Sequence, residues 1–349
     1  MRVVVATIVH HPDDARIRHR QIEALLDAGC AVTYIAPEGG RPDPRIERVV
    51  VPRAGGRRRV RALRAARAEL RRRSPEADVT LIHDPELVLA AGAIAGPKVW
   101  DVHEDVVAQL ADKAYIPRVV RPLARTFARW LERRGARRFD LLIAEEGYAA
   151  RFPDATLVRN TVAIPADPPA SERGRAVYLG RVSAGRGVDS LAALGEALGD
   201  DVALDVIGPI DADVADVLPP SVTVRGFVPN HEALPLIDGA TVGLALLRDL
   251  PNYRHSMPTK LLEYLARGIP VITTPLPEAV AIVEDHDCGV VVGFDDPVEV
   301  AEAIRALNDD DAERARLGAN GRAAVAEHFA WEHDAARFVA ALREAARDS

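Results

Sequence analysis

Residues 2–36, RVVVATIVHHPDDARIRHRQIEALLDAGCAVTYIA, hold a strand, a helix and a second strand in succession. The run 2–8 is apolar without alternation, the pattern of a strand buried on both faces. Residues 15–29 follow as a helix, with Ile17, Ile22, Leu25 and Leu26 on one face and Gly29 as the stop. Residues 31–36 are β-branched again. Strands that alternate with helices imply parallel βαβ units. The theme recurs at 79–83, 98–102 and 141–144. It breaks at 162–176, VAIPADPPASERGRA, where three prolines, a charged cluster and a glycine mark a linker. It then restarts, with strands at 176–179, 202–207, 222–224, 242–246 and 269–273. Helices are expected at 188–198, 259–267 (closed by Gly268), 297–307, 311–328 and 331–346. The expected fold is α/β, two doubly wound Rossmann-like domains over 1–165 and 166–330, with a final helix in 331–349. Ligands of such sheets bind beyond the carboxyl ends of the strands, so the natural site is a cleft between the two domains.

The chain has 349 residues, 48% hydrophobic and 28% charged, the composition of an ordinary globular protein with length for two cores. Its longest apolar stretches, 87–96 and 242–247, fall short of the ~18–20 residues that cross a bilayer. The start MRVVVATI reads as a strand and not as a secretory leader, so a cytoplasmic protein is expected. Cys30 and Cys288 are too few for a disulfide framework or a thiolate metal cage. The net charge of −7 is unevenly spread: residues 1–170 carry 29 Lys and Arg against 22 Asp and Glu, and residues 171–349 carry 16 against 30. The basic charge lies in two blocks, 53–73 and 118–138. These are either solvated helix faces or a surface for an anionic partner, such as acidic lipid or a phosphorylated acceptor. Nucleic acid is not expected, because no recognition motif is present and aromatics are few.

Four segments carry chemistry. In 258–272, PTKLLEYLARGIPVI, Pro258 and Thr259 suit a helix start, whose unpaired N–H groups favour a phosphate. Glu263, one turn on, is placed to hold ribose hydroxyls, and Lys260 is one of three lysines in the chain. The bland alternative is a capped core helix with a solvated Lys and Glu. In 177–191, VYLGRVSAGRGVDSL, a strand ends in Gly180, Arg181 follows at its tip, and Gly185, Arg186 and Gly187 lead into a helix. Glycines there allow close approach to phosphate and two arginines supply charge. In 100–105, WDVHED, His103 stands at a strand end, where a surface histidine is the plain alternative. In 9–16, VHHPDDAR, the cluster His10, His11, Asp13 and Asp14 matches no metal-ligand spacing, and reads as a polar loop for an acceptor.

These segments, in this order, resemble the retaining glycosyltransferases of family 4, with the GT-B fold. The resemblance runs through 14–36, LIHDPEL (81–87), VWDVHED (99–105), LVRNTV (157–162), YLGRVSAGRGVDSL (178–191), VRGFVPNHEALPLI (224–237), PTKLLEYLARGIPVI (258–272) and HFAWEHDAARFV (328–339). It implies an enzyme that binds a nucleotide-diphosphate sugar (UDP-, GDP-, ADP- or dTDP-linked) in its second domain and an acceptor in its first, without a metal or other cofactor. Arg181 matches the family's diphosphate-binding arginine, and Arg186 stands where a lysine is usual. Glu263 matches the ribose-binding glutamate, and His103 the histidine near the donor sugar. Gly226, Phe227 and Val228 match the loop of the base pocket. Residues from Met257 through Pro258, Thr259, Lys260 and Leu261 lie where the donor is held, and Gly180 belongs to the same set. The final helix is expected to pack back on the first domain.

The chain departs from the commonest family pattern at His255, where most members carry a second glutamate, and in VHHPDDAR, which replaces a glycine-rich loop. The resemblance favours a same-face hexosyl transfer to an acceptor hydroxyl, with retention. His103 then orients the sugar, while the arginines and the helix start stabilise the leaving diphosphate. The acceptor is a sugar, a lipid-linked molecule or a small molecule, in glycan, glycolipid or natural-product synthesis. A lipid-linked acceptor implies peripheral contact of the basic first domain with anionic membrane at its inner face. The competing reading is a catalytically degenerate subunit that binds nucleotide or a partner chain, and a sugar-nucleotide epimerase is a third.

Overall fold

The apolar runs form two separate parallel sheets in the computed structural model, which describes residues 1–102, 121–199, 201–250, 253–254 and 257–347. The chain divides into two units, Met1–Asn160 with Glu332–Ser349, and Thr161–Trp331. His103 and His255 lie outside the described residues, as does the start of the basic block at 118.

In the first unit the strands are β1 (Arg2–Ala6), β2 (Ala31–Ala36), β3 (Ile46–Val50), β4 (Val79–Ile82), β5 (Lys98–Val102), β6 (Asp140–Ile143) and β7 (Thr156–Leu157). They make one sheet in the order β3-β2-β1-β4-β5-β6-β7. Described helices include α1 (Glu23–Asp27), α2 (Arg59–Arg73), α3 (Arg121–Ala136) and the long C-terminal helix Trp331–Arg347. Strand β1 stops two residues before the run of apolar residues ends. The reason is lateral: the Ile8 and Val9 N–H groups leave the sheet and donate to the Asp84 carboxylate. The helix expected at 15–29 begins with a wide-wound turn, Ile17–Ile22, before it tightens into α1. That turn brings Arg16 and Gln21, five residues apart, onto the same buried carboxylate, Asp101. In the C-terminal helix, Asp334 accepts from the Arg159 N–H and faces the Arg159 guanidinium within the same unit.

In the second unit the strands are β8 (Arg175–Leu179), β9 (Ala203–Ile207), β10 (Val222–Gly226), β11 (Val242–Ala245), β12 (Val271–Thr273) and β13 (Gly289–Val291), in the order β10-β9-β8-β11-β12-β13. Its helices include α4 (Val188–Leu198), α5 (Asn230–Ile237) and α6 (Thr259–Leu265). Leu191, Leu194 and Leu198 of α4 pack on one side of the sheet, and Leu261, Leu262 and Leu265 of α6 on the other. Sheet order reverses between β1 and β4 in one unit and between β8 and β11 in the other. Those two points, at the carboxyl ends of the strands, are where an α/β sheet opens a crevice.

Candidate functional site

At the first reversal point, between β1 and β4, the polar residues are already engaged with one another. Asp84, buried just past β4, accepts from the Thr7 hydroxyl and the Ile8 and Val9 N–H groups. The His10 Nε2 lies 3.4 Å from its Oδ1. Burial pushes the Asp84 carboxyl up, and the nearby His10 and the Ile8 N–H pull it back. Of the expected acceptor residues, Asp14 accepts from the Arg16 and Ile17 N–H groups and so caps the wide turn. Asp13 accepts from the Arg41 N–H, and the His11 Nδ1 from the Asp13 N–H. Next to them Asp101, wholly buried at the end of β5, is held by Arg16 through two bonds of 2.8 and 2.7 Å, and by Gln21 at 2.8 Å. His83 Nδ1 stands 3.3 Å from the same carboxylate.

The second reversal point is built differently. Gly180 directly follows β8, Gly208 directly follows β9 and Gly226 ends β10, so a bare backbone rim runs across three strand ends. The Gly180 N–H donates to Ile207 O, and the Gly208 N–H to Gly226 O. Gly208 has φ +151°, and a Cβ there would fall 2.1 Å from the Gly180 carbonyl oxygen. Gly180 has φ +125°, and the space where its side chain would stand is taken by two cations. A Cβ at Gly180 would lie 3.3 Å from Lys260 Nζ and 3.9 Å from an Arg186 Nη. Three of the sequence-selected residues, from two segments about 80 residues apart in the chain, therefore meet at one point.

Lys260 reaches that point from the first turn of α6. Its Nζ is buried, has no hydrogen-bond partner among the described residues, and lies 3.7 Å from the centroid of the Tyr178 ring. Burial holds its ammonium well below the usual lysine range, Arg186 lowers it further, and Glu263 opposes both. Neither Lys260 nor Arg186 forms an ion pair among the described residues. Two residues that the sequence reading did not select support this geometry. The Tyr178 hydroxyl donates to Arg181 O, which fixes the turn after β8. The Tyr264 hydroxyl oxygen accepts the Leu179 N–H at 2.6 Å, which ties α6 to the end of β8. Their only sequence signal is a tyrosine inside an otherwise aliphatic run.

Glu263 is 5% exposed, and its Oε1 accepts from Asn230 Nδ2 at 3.0 Å. Asn230 opens α5 directly after the Gly226–Phe227–Val228 loop, so this bond ties that loop to α6. Phe227 is 59% exposed, and Gly226 adopts φ +66°. Not every selected residue joins the cluster. Arg181 pairs with Asp211 at 2.6 Å, with most of its side chain in solvent. Leu261 is buried in the core and its N–H is bonded to Pro258 O, so neither is open to a ligand. Pro258 stands at the N-terminal boundary of α6, and Thr259 is its first helical residue. The site can thus hold an anion on a glycine rim between two cations, with a buried carboxylate and an exposed aromatic ring on adjoining elements.

Residues 16–152 match the profile of Glycosyltransferase Family 4, and residues 188–340 match a profile described as Glycosyl transferase-like. The two profile matches together reach into both units. Two curated relatives are named D-inositol 3-phosphate glycosyltransferase. The one from Xylanimonas cellulosilytica is 29% identical over 200 residues, 55% of this chain and 46% of the relative. The one from a Nocardioides species is 34% identical over 101 residues, 29% of this chain and 22% of the relative. The chain thus spans less than half the length of either. Among solved structures, sucrose-phosphate synthase from Thermosynechococcus elongatus aligns with TM-score 0.72 at 18% identity, over 100% of this chain and 99% of that one. Anabaena HepE in complex with UDP-glucose aligns with TM-score 0.74 at 14% identity, over 99% and 100%. The two parallel-sheet domains have the GT-B fold.

Proposed function

We propose that this glycosyltransferase-type chain transfers a hexosyl group from a nucleoside-diphosphate sugar to an acceptor hydroxyl, with retention at the anomeric carbon. The observation that carries the reading is the meeting of Lys260 and Arg186 over Gly180, with no ion pair for either among the described residues. A diphosphate supplies the charge that this point lacks. Glu263, held by Asn230, takes the ribose hydroxyls, and the loop at Phe227 takes the base. In the reaction the bond from the sugar C1 to the diphosphate oxygen breaks, and the acceptor oxygen bonds C1 on the same face. The acceptor proton passes to the departing phosphate. Lys260 and Arg186 stabilise the negative charge that develops on that leaving group, which in other enzymes is an effect of about 3 kcal/mol per donor. Arg181 is the third cation of this reading, and His103 orients the sugar.

The first unit takes the acceptor. Its excess of basic residues suits an anionic acceptor, and the name of the curated relatives includes a phosphorylated one. A lipid-linked acceptor at the inner face of a membrane fits the same charge. The test is thermal stability and calorimetric binding with UDP, GDP, ADP and dTDP, without added metal. One nucleotide is expected to bind selectively. At 100 times its dissociation constant it adds about 2.7 kcal/mol, a shift of roughly several degrees. No binding by any of the four, at concentrations that saturate ordinary donor sites, overturns the donor assignment.

A further inference from the structure

The two basic blocks of the first unit have different surfaces. Helix α2 turns Ala62, Ala66 and Leu70 inward, and it exposes arginines without any aromatic neighbour on the helix. Several of those arginines are matched: Arg59 by Glu86, Arg72 by Glu69 and Arg73 by Glu47. Helix α3 buries Ala128, Leu131 and Glu132, and it leaves three large apolar side chains in water. Leu123 is 71% exposed, Phe127 51% and Trp130 47%. At about 100° per residue, these positions fall within roughly 60° of one another on the helix. They form a strip, because Phe127 stacks on Trp130 at 5.6 Å and the Arg134 guanidinium lies 5.6 Å over the Trp130 ring.

Round the exposed side of the helix from the strip, Arg125, Arg129 and Arg133 repeat every four residues and form a second row centred roughly 130° from it. None of them has an ion-pair partner among the described residues. The one acid of the helix, Glu132, is turned inward toward Arg151. Single exposed hydrophobics are ordinary, but an aromatic strip and a row of arginines without ion-pair partners among the described residues, sharing the exposed side of one helix, suit a membrane interface. In a helix that lies in such an interface, rings enter the acyl boundary and arginine stems carry their charge up to the headgroups. No described helix is long and apolar enough to cross a membrane.

We propose that α3 is a docking element for an anionic lipid surface. The proposal rests on the reading above only for its purpose, which is to bring the first unit to a lipid-linked acceptor. Its evidence is independent of the donor site. The test is co-sedimentation of the full chain with phosphatidylcholine vesicles, with and without phosphatidylglycerol. Binding is expected only to the anionic vesicles, with steep loss as salt rises. The exposed-site variant Phe127→Ser/Trp130→Ser is expected to bind about tenfold or more weakly, as is Arg125→Gln/Arg129→Gln/Arg133→Gln. The α2 variant Arg61→Gln/Arg64→Gln/Arg67→Gln is expected to bind as the parent does. Circular dichroism and the nucleotide thermal shift are expected to be unchanged in all three, which separates failure here from failure of the donor reading. The proposal is overturned if the Phe127/Trp130 variant binds vesicles like the parent, or if the α2 variant is the one that loses binding. It is also overturned if the chain ignores anionic vesicles while Phe127 and Trp130 hold a dimer or a nucleic acid instead.

Discussion

The crevice of the first sheet and that of the second occupy the same topological point, yet their charges are arranged in opposite ways. In the first, Arg16 is held by both oxygens of Asp101, and Asp84 gathers two N–H groups, a hydroxyl and His10. The charge closes on itself. In the second, Lys260 is buried against an aromatic ring, and neither it nor Arg186 forms an ion pair among the described residues. A folded chain satisfies its buried polar groups almost everywhere, so a closed network is scaffold and an open one marks a place for a ligand. Breaking each network separately should therefore give effects of opposite sign on the stability of the unliganded protein.

The largest effect is expected in the closed network. Asp101→Ala leaves the Arg16 guanidinium buried without a counter-charge, a loss of about 3–5 kcal/mol. Urea unfolding should show it, with no compensation from nucleotide. A loss below 1 kcal/mol would mean that Arg16 reaches water once its partner is gone.

In the open network, Lys260→Met should stabilise the unliganded protein by about 1–2 kcal/mol, because it removes a buried amine that has no hydrogen bond. It should weaken the nucleoside diphosphate about 100-fold. The pH dependence has a definite sign. Burial and Arg186 place the folded-state value of Lys260 below its unfolded value. Between the two values the unfolded chain holds the extra proton, so stability rises with pH across that window, and the full penalty applies below it. A bound diphosphate draws the proton back, so binding above the folded value takes up a proton. Calorimetry in two buffers of different ionisation heat reads this uptake, and Lys260→Met should abolish it.

How much of this was legible beforehand depends on how local the cause is. Parallel strands came through as unbroken β-branched runs, and α4 and α6 as periodic stretches ended by glycine, because burial on a sheet writes itself into neighbouring residues. Gly180, Arg186 and Lys260 were each visible as a strand-end turn or a helix start. That Lys260 is buried was not, because the ring that covers it, Tyr178, belongs to another segment. The wide-wound turn at Ile17–Ile22 was equally hidden, since its cause is a shared carboxylate some 80 residues away. Arg181 looked like an open cation from its turn alone. Its partner, Asp211, sits past the end of the next strand.

A smaller effect is expected at Glu263. Glu263→Gln keeps the volume but replaces one acceptor oxygen with an amide that faces Asn230 Nδ2. Nucleotide affinity should fall about tenfold, the scale of one hydrogen bond to a charged group. If that carboxylate holds the ribose, 2′- and 3′-deoxy nucleotides should bind the parent more weakly than the ribonucleotide, and the variant should hardly distinguish them. Equal discrimination in both proteins would move Glu263 from ligand contact to support of the Phe227 loop.

The smallest effect tests whether the two networks are as separate as they look. Arg181, directly after Gly180 at the edge of the open site, is paired with the Asp211 carboxylate, and the arginine is mostly in solvent. Exposed pairs are worth about 0–1 kcal/mol, so Asp211→Asn should hardly move the melting temperature. It releases Arg181 to the diphosphate, however, and affinity should rise by about two- to fivefold at low salt, the same free energy read at the ligand. On an Arg181→Ala background the gain should vanish, because the substitution then has nothing to release. A gain that survives without Arg181 would show that Asp211 acts on the ligand by repulsion from its own place, and that the open site begins at Gly180.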